Sequence, residues 1–241
     1  MSGRIPEKAM VLAAGLGKRM RPITERIPKP LVQVAGKPLI DWGLDALAGA
    51  GVGEAVVNVH HLAPQLVAHL EGWPRPRVMI SDESEELLDS AGGIVKALPM
   101  LGASPFFVLN ADTFWVGGDD NLSDLALAWD SARMDILLML AKLENATGHS
   151  GRTDFLLAGD GRLSRAAGAP EGLIYAGAAI VSPAIFAAAP AEPHSLNLYF
   201  DRTIAEGRLF GHAMKGHWIT VGTPDAIAAA EAAVARHLLG T

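Results

Sequence analysis

Residues 12–24 read Leu-Ala-Ala-Gly-Leu-Gly-Lys-Arg-Met-Arg-Pro-Ile-Thr: an apolar run that ends at Gly15 and Gly17 and is followed at once by cations. Within the twelve positions from Lys18 to Lys29 stand Lys18, Arg19, Arg21, Arg26 and Lys29, five of the chain's twenty basic residues, opposed only by Glu25. Glycines let backbone N–H groups approach an anion closely, and the cations balance its charge. The whole chain carries a formal charge of −6, so the positive charge is a local concentration. It suits a small, highly charged anion and argues against a nucleic-acid partner or an anionic membrane surface, both of which need a broad basic face. Two familiar phosphate-binding patterns do not fit. The dinucleotide pattern would require glycine where Met20 stands, and the P-loop needs four residues between its glycines where only Leu16 is found. A lone Gly-x-Gly also describes an ordinary strand-to-helix turn, and Lys18 and Arg19 alone would describe solvated charges. Their place behind the glycine turn is what points to phosphate.

Two more ionic residues occupy constrained positions. Lys29 lies between Pro28 and Pro30, which restrict the local backbone and limit where its ammonium can travel. Asp112, in Asn110-Ala111-Asp112, follows the apolar run 106–109. A carboxylate there emerges at the ligand end of a parallel sheet, where Mg²⁺ can bridge it to phosphate oxygens, although an Asp after a strand is also a common turn former. His60 and His61 are adjacent after a strand and cannot both point one way, so they read as structural. Trp73, Trp115 and Trp218 have no special spacing and read as packing. The absence of cysteine excludes disulfides and thiolate metal sites and permits a cytoplasmic location.

These residues need a frame. The chain's 241 residues, half of them apolar, are enough for one large α/β domain covering 1–241, with a first half to about residue 115 and a second from about 116. No apolar stretch approaches the roughly 18 residues of a membrane span. The N-terminal apolar run precedes its basic residues, the reverse of a secretory signal. In the first half, strands at 9–13, 54–58, 77–80 and 106–109 alternate with helices from Pro38 to about Ala50, near 63–70 and at about 91–101. Strands separated by such helices predict a three-layer, mostly parallel, Rossmann-like sheet with right-handed crossovers. The second half is mixed: a hairpin of 154–157 and 163–166 around Ala158-Gly159-Asp160-Gly161, and strands at 173–181 and 218–221. A last helix has Thr223 as N-cap, Pro224 in its first turn and Gly240 after its end.

The continuation GLGKRMRPITERIPKPLVQVAGKPLI resembles the N-terminal signature of the sugar-phosphate nucleotidyltransferases. DSAGGIVKAL, NADTF, HSGRTDF and GHWITVGTPDAI extend the resemblance over nearly the whole chain. Within the family, the short length and this motif set are most similar to the N-acetylmuramate-1-phosphate uridylyltransferase branch, which serves cell-wall sugar recycling. The resemblance implies a GT-A-like fold in which the first half is nucleotide-binding and the second sugar-binding. It also implies Mg²⁺-dependent transfer of a nucleotidyl group from a nucleoside triphosphate, UTP in this branch, to a sugar 1-phosphate, with release of pyrophosphate. Backbone around Ala13, Ala14, Gly15 and Gly17 would contact the nucleotide, with Lys18 assisting. Arg19 would hold the β- and γ-phosphates, and Lys29 the α-phosphate and the incoming sugar phosphate. Glu83, Gly92 and Gly93 are candidates for the base and ribose, because paired glycines let a planar base lie against backbone; the same stretch also reads as the start of a helix. Asp154 and Asn197 are candidates for the sugar or ordinary loop residues.

The chain departs from the family at one place. Many relatives carry a second metal-binding aspartate in W-x-D-V-G-T, where this chain has Trp218-Ile219-Thr220-Val221-Gly222-Thr223. The expectation is that Mg²⁺ depends on Asp112 alone, with Thr220 touching a metal-bound water. Rival readings are guanylyl transfer to mannose or heptose 1-phosphate and a catalytically silent sugar-nucleotide sensor, the latter motivated by Thr220. The apolar C-terminal helix fits a monomer or a homodimer equally.

Overall fold

Apolar runs too short for core helices and rich in Val, Ile and Phe build the central sheet, as buried strands do. The computed structural model describes residues 3–239, so Gly240 lies outside it. The strands used below are β1 (Lys8–Leu12), β2 (Glu54–Val59), β3 (Arg77–Asp82), β4 (Phe106–Asn110), β5 (Thr113–Val116), β6 (Ile136–Ala141), β7 (Phe155–Leu157), β8 (Leu163–Arg165), β9 (Ile174–Val181), β10 (Leu209–Ala213) and β11 (His217–Thr220). The helices are α1 (Leu39–Gly49), α2 (Ala63–Leu70), α3 (Asp89–Leu101), α4 (Asn121–Ala128), α5 (Asn197–Ala205) and α6 (Asp225–Leu238).

The seven-stranded sheet runs β10-β6-β9-β4-β1-β2-β3. Pairing is parallel throughout β4-β1-β2-β3 and between β10 and β6, while β9 lies antiparallel to both its neighbours. This is the expected three-layer α/β arrangement, with one sheet passing through both halves of the chain. Side chains alternate across it with the strand period of two. Phe107 and Leu109 of β4 face one layer with Leu44 and Leu47 of α1, Leu66 of α2 and Leu122 of α4. Phe106 and Val108 face the other with Ile94 and Ala97 of α3 and Phe200 of α5.

A third apolar cluster explains how the glycine loop is held. Met20, fully buried, packs with Val32, Leu39, Phe114 of β5, Ile219 of β11, and Ala230 and Val234 of α6. The residue standing where a dinucleotide loop would have glycine is therefore a hydrophobic anchor, whose burial contributes about 1.5–3 kcal/mol.

The first-half strands and helices and the β7–β8 hairpin lie where periodicity places them. The apolar run 136–141, which lies between β10 and β9 as β6, was not anticipated, nor were β5, β10, α4 and α5. Thr223 makes no side-chain cap. Its carbonyl accepts the Ala226 N–H at 3.1 Å, and α6 begins at Asp225. Among the described residues no helix is long and apolar enough to cross a membrane.

Candidate active site

The chain leaves β1 to form β2 on one side and later returns to form β4 on the other, so strand order reverses at the carboxyl end of β1. In open α/β sheets ligands bind in the crevice at such a point. A cavity of about 530 Å³ lies there. Its lining follows the sheet edge: Asn110, Ala111 and Asp112 at the end of β4, residues 12–15 at the end of β1, Asn58 from β2, then Leu87, Asp89 and Ser90 beyond β3, with Lys29 and Pro30 completing one end.

The glycine loop is fixed by local chemistry. Gly17 takes a left-handed conformation (φ 60°) and closes a single 3₁₀ turn over Lys18–Met20, with Met20 N–H donating to its carbonyl at 2.8 Å. A Cβ there would lie 2.8 Å from Thr24 Cγ2, so the packing also requires glycine. Thr24 Oγ–H donates to the Gly17 carbonyl at 2.8 Å, and His61 Nε2–H donates to the Thr24 carbonyl at 2.6 Å. His60 Nδ1–H in turn donates to the Glu83 carbonyl at 2.7 Å. The two histidines are fasteners pointing in different directions, as their adjacency implied.

Lys29 and Asp112 form an ion pair at one end of the cavity, with side chains 12% and 33% exposed respectively. Both therefore remain partly accessible from the cavity. Thr220 is the cross-strand partner of Thr113, the residue after Asp112, and Val221 N–H donates to the Asp112 carbonyl at 3.1 Å. Tertiary pairing thus brings the substituted position beside Asp112.

Other expected site residues fall elsewhere. Arg19 and Lys18 are exposed and lie outside the cavity lining, with the Arg19 guanidinium beside Gly222, just after β11. Gly17 shapes the turn without lining the cavity. Ala13 does line it, but its N–H donates to Asn58 Oδ1 at 2.7 Å and so is not offered to a ligand. The amides of Ala14 and Gly15 have no protein acceptor among the described residues.

Glu83 is corrected from a surface for base and ribose to a buried brace. It is 0% exposed, and its carboxylate accepts Asn58 Nδ2–H at 2.7 Å and Leu88 N–H at 3.1 Å. Gly92 and Gly93 are corrected likewise. A Cβ on Gly92 would collide with the Glu192 carbonyl, and one on Gly93 would lie 2.6 Å from Glu83 Oε1 and 2.8 Å from Asn58 Nδ2. Both glycines are buried, admit close protein packing and do not line the cavity.

Asp154 and Asn197 are outside the cavity as well. Asp154 Oδ2 accepts Tyr175 N–H at 2.9 Å, and Asn197 Oδ1 accepts from the Arg165 guanidinium at 3.0 Å. The Tyr175 hydroxyl is buried without a partner among the described residues, and burial pushes its pKa above the usual phenol range. Trp218 and Trp115 are pinned by N–H bonds to the carbonyls of Ala176 (2.9 Å) and Gly118 (3.0 Å).

The residues that sequence reasoning missed are Asn58, Asn110, Leu87, Asp89 and Ser90. Asn58 carried a signal: an amide interrupts the otherwise apolar run of β2 and is 3% exposed, so it had to find partners. Among the described residues no group of three or more His, Asp or Glu side chains could enclose a metal. The donor set at the Lys29 end, one carboxylate with the Asn110 amide nearby, fits Mg²⁺ that takes its remaining ligands from phosphate and water.

The family model described as Nucleotidyl transferase matches residues 8–149. The N-acetylmuramate alpha-1-phosphate uridylyltransferase of Caulobacter vibrioides (strain ATCC 19089 / CIP 103742 / CB 15) is 46% identical over 236 residues, 95% of this chain and 98% of that protein. The protein of the same name from Neisseria meningitidis serogroup B (strain ATCC BAA-335 / MC58) is 36% identical over 90% of this chain and 93% of its own length. The inositol-1-phosphate CTP transferase structure from T. maritima superposes with a TM-score of 0.76 at 17% identity, covering 95% of this chain and 97% of that one, which shows a shared fold.

Proposed function

Because this chain belongs to the nucleotidyl transferase family, we propose that it transfers a uridylyl group from UTP to N-acetylmuramate α-1-phosphate and releases pyrophosphate. The observation that carries the reading is the cavity along the carboxyl ends of β4, β1 and β2, with Lys29 and Asp112 at one end and free loop amides beside them. The two relatives covered almost end to end both bear the uridylyltransferase name, which favours this substrate pair.

The chemistry asks for no nucleophile–base pair. A sugar 1-phosphate carries close to two negative charges near neutral pH, by analogy with a second phosphate ionisation near pH 6. One of its oxygens attacks the α-phosphorus in line, a new P–O bond forms, and the bond to the bridging oxygen breaks as pyrophosphate departs with the electron pair. No proton need move. Catalysis then rests on alignment and on neutralising crowded anions.

The Lys29 ammonium neutralises charge at the α-phosphate and on the incoming phosphate. The Ala14 and Gly15 amides orient the phosphate chain. Arg19, exposed beside Gly222, would meet the outer phosphates. Asp112 and Asn110 would hold Mg²⁺, whose chemistry when bound is charge stabilisation on the phosphate oxygens.

The test is pyrophosphate release from each of the four ribonucleoside triphosphates against a panel of sugar 1-phosphates, with Mg²⁺ supplied. UTP with N-acetylmuramate α-1-phosphate should turn over fastest. Preference for GTP with mannose 1-phosphate would replace this substrate assignment, and release from no pair would identify a silent binder.

A further inference from the structure

The cavity has a polarity that the strand order makes explicit. Lys29 and Asp112 mark the end after β4, and Asp89 and Ser90 mark the end beyond β3, with β1 and β2 between them. A nucleotide whose phosphates meet Lys29 therefore carries its nucleoside toward Asp89. Asp112 has its charge offset by Lys29, whereas Asp89 has no cation paired with it among the described residues and would repel phosphate, which favours the same direction.

Asp89 is unusual in three ways. It is exposed at the cavity mouth, it adopts left-handed backbone (φ 58°) where glycine would be unstrained, and it begins α3. Its Oδ1 accepts Ser90 N–H at 2.5 Å, while Oδ2 takes part in no hydrogen bond or ion pair among the described residues. The helix start is satisfied without it. The Ala91 and Gly92 N–H groups donate to the His194 carbonyl at 3.0 and 3.3 Å, and Ser90 Oγ accepts Leu196 N–H at 2.9 Å. The carboxylate is thus held in place with one oxygen free.

We infer that Asp89 is the residue that recognises the ribose of the nucleotide, accepting hydrogen bonds from its vicinal hydroxyls. An ionised carboxylate only accepts. The pairing edge of uracil offers one N–H between two carbonyl oxygens, which would face the carboxylate unfavourably. A ribose diol offers two adjacent O–H donors, and an acidic side chain gripping ribose hydroxyls is an established way to hold a nucleoside. The inference rests on the proposed nucleotidyl transfer and adds a specificity to it: ribonucleotide over deoxyribonucleotide.

The experiment compares UTP, 2′-deoxy-UTP and 3′-deoxy-UTP with the wild-type protein and with Asp89→Gly and Asp89→Asn, glycine being chosen because it suits the left-handed backbone. In the wild type, kcat/KM should fall about tenfold or more on removing either hydroxyl, the loss expected for a hydrogen bond to a charged group. Asp89→Gly removes both contacts, so it should slow UTP by more than either single deoxygenation does and slow each deoxy substrate only by the one contact that it retains, and the preference collapses toward one. Equal slowing of all three substrates by Asp89→Gly, or a wild type indifferent to the hydroxyls, overturns the inference. Calorimetric binding of UDP and 2′-deoxy-UDP reads the same preference without turnover. Absence of pyrophosphate release with the UDP preference intact would sink the transfer reaction alone, and loss of that preference would sink the role of Asp89.

Discussion

The Lys29 ammonium and the Asp112 carboxylate form an ion pair across a sequence separation of 83 residues. The pair joins the two groups to which the proposed transfer assigns opposite charges, and each neutralises the other. Lys29→Met and Asp112→Asn should each lower kcat/KM by about 100-fold, the scale of losing one electrostatic stabiliser. The double variant should lose less than the product of the two, because each single change leaves its partner's charge unpaired. Pyrophosphate-release kinetics on the four proteins measure this. Wild-type turnover by Asp112→Asn at limiting Mg²⁺ would remove Asp112 from the site.

Thr220 stands opposite Thr113, beside Asp112 in space. Thr220→Asp adds a second hard oxygen donor of negative charge there, and magnesium affinity grows with ligand charge. The half-saturating Mg²⁺ concentration should drop several-fold. An unchanged or higher requirement would show that position 220 does not face the metal.

Asn58 joins the Ala13 amide to the Glu83 carboxylate at the floor of the cavity. Asn58→Ala leaves a buried N–H and a buried carboxylate oxygen without that amide, so unfolding free energy should fall by about 3 kcal/mol. Urea denaturation reads this as a lower midpoint at unchanged slope. Stability within a few tenths of wild type would mean that the brace carries no weight.

Gly93→Ala tests the same brace from the other side. The added methyl would press on Glu83 Oε1 and Asn58 Nδ2, at 2.6 and 2.8 Å. Overpacking of this kind costs about 1–3 kcal/mol, and the shift of Asn58 should raise the KM for the nucleotide. A protein as stable as wild type with unaltered KM would contradict the packing role.

His217, on β11, has its pKa pushed below the usual histidine range, first by burial and then by repulsion from Arg236 and His237. Its Nε2 lies 2.8 Å from Thr147 Oγ1, a bond that suits the neutral ring. The unfolded chain takes up a proton near pH 6.5 and the folded one only at lower pH, so below that value the unfolded state binds more protons. Stability should therefore decline as pH falls from about 7 through 6.5 toward the folded value, and His217→Gln should flatten that part of the decline. Parallel pH profiles for the two proteins would refute it.

Much of the layout was legible in the chain. Strands β1 to β4, with the helices between them, follow from apolar periodicity and from Gly and Pro punctuation, which are local signals. The glycine turn, Lys29 between its prolines and Asp112 after its strand were legible for the same reason. β6 was not: six consecutive apolar residues have no period to read, and only neighbouring strands on both sides settle them as a strand.

Sequence alone determined which residue types were present and that a glycine turn with concentrated cations follows β1. The tertiary structure decided which of them meet. It buried Glu83, turned Gly92 and Gly93 to packing, engaged Asp154 and Asn197 within the protein, and set Asn58 and Asp89 in the cavity wall. The physical reason is that the cavity is made by strand order. Its walls come from segments far apart in the chain, and no local pattern states which strand lies beside which.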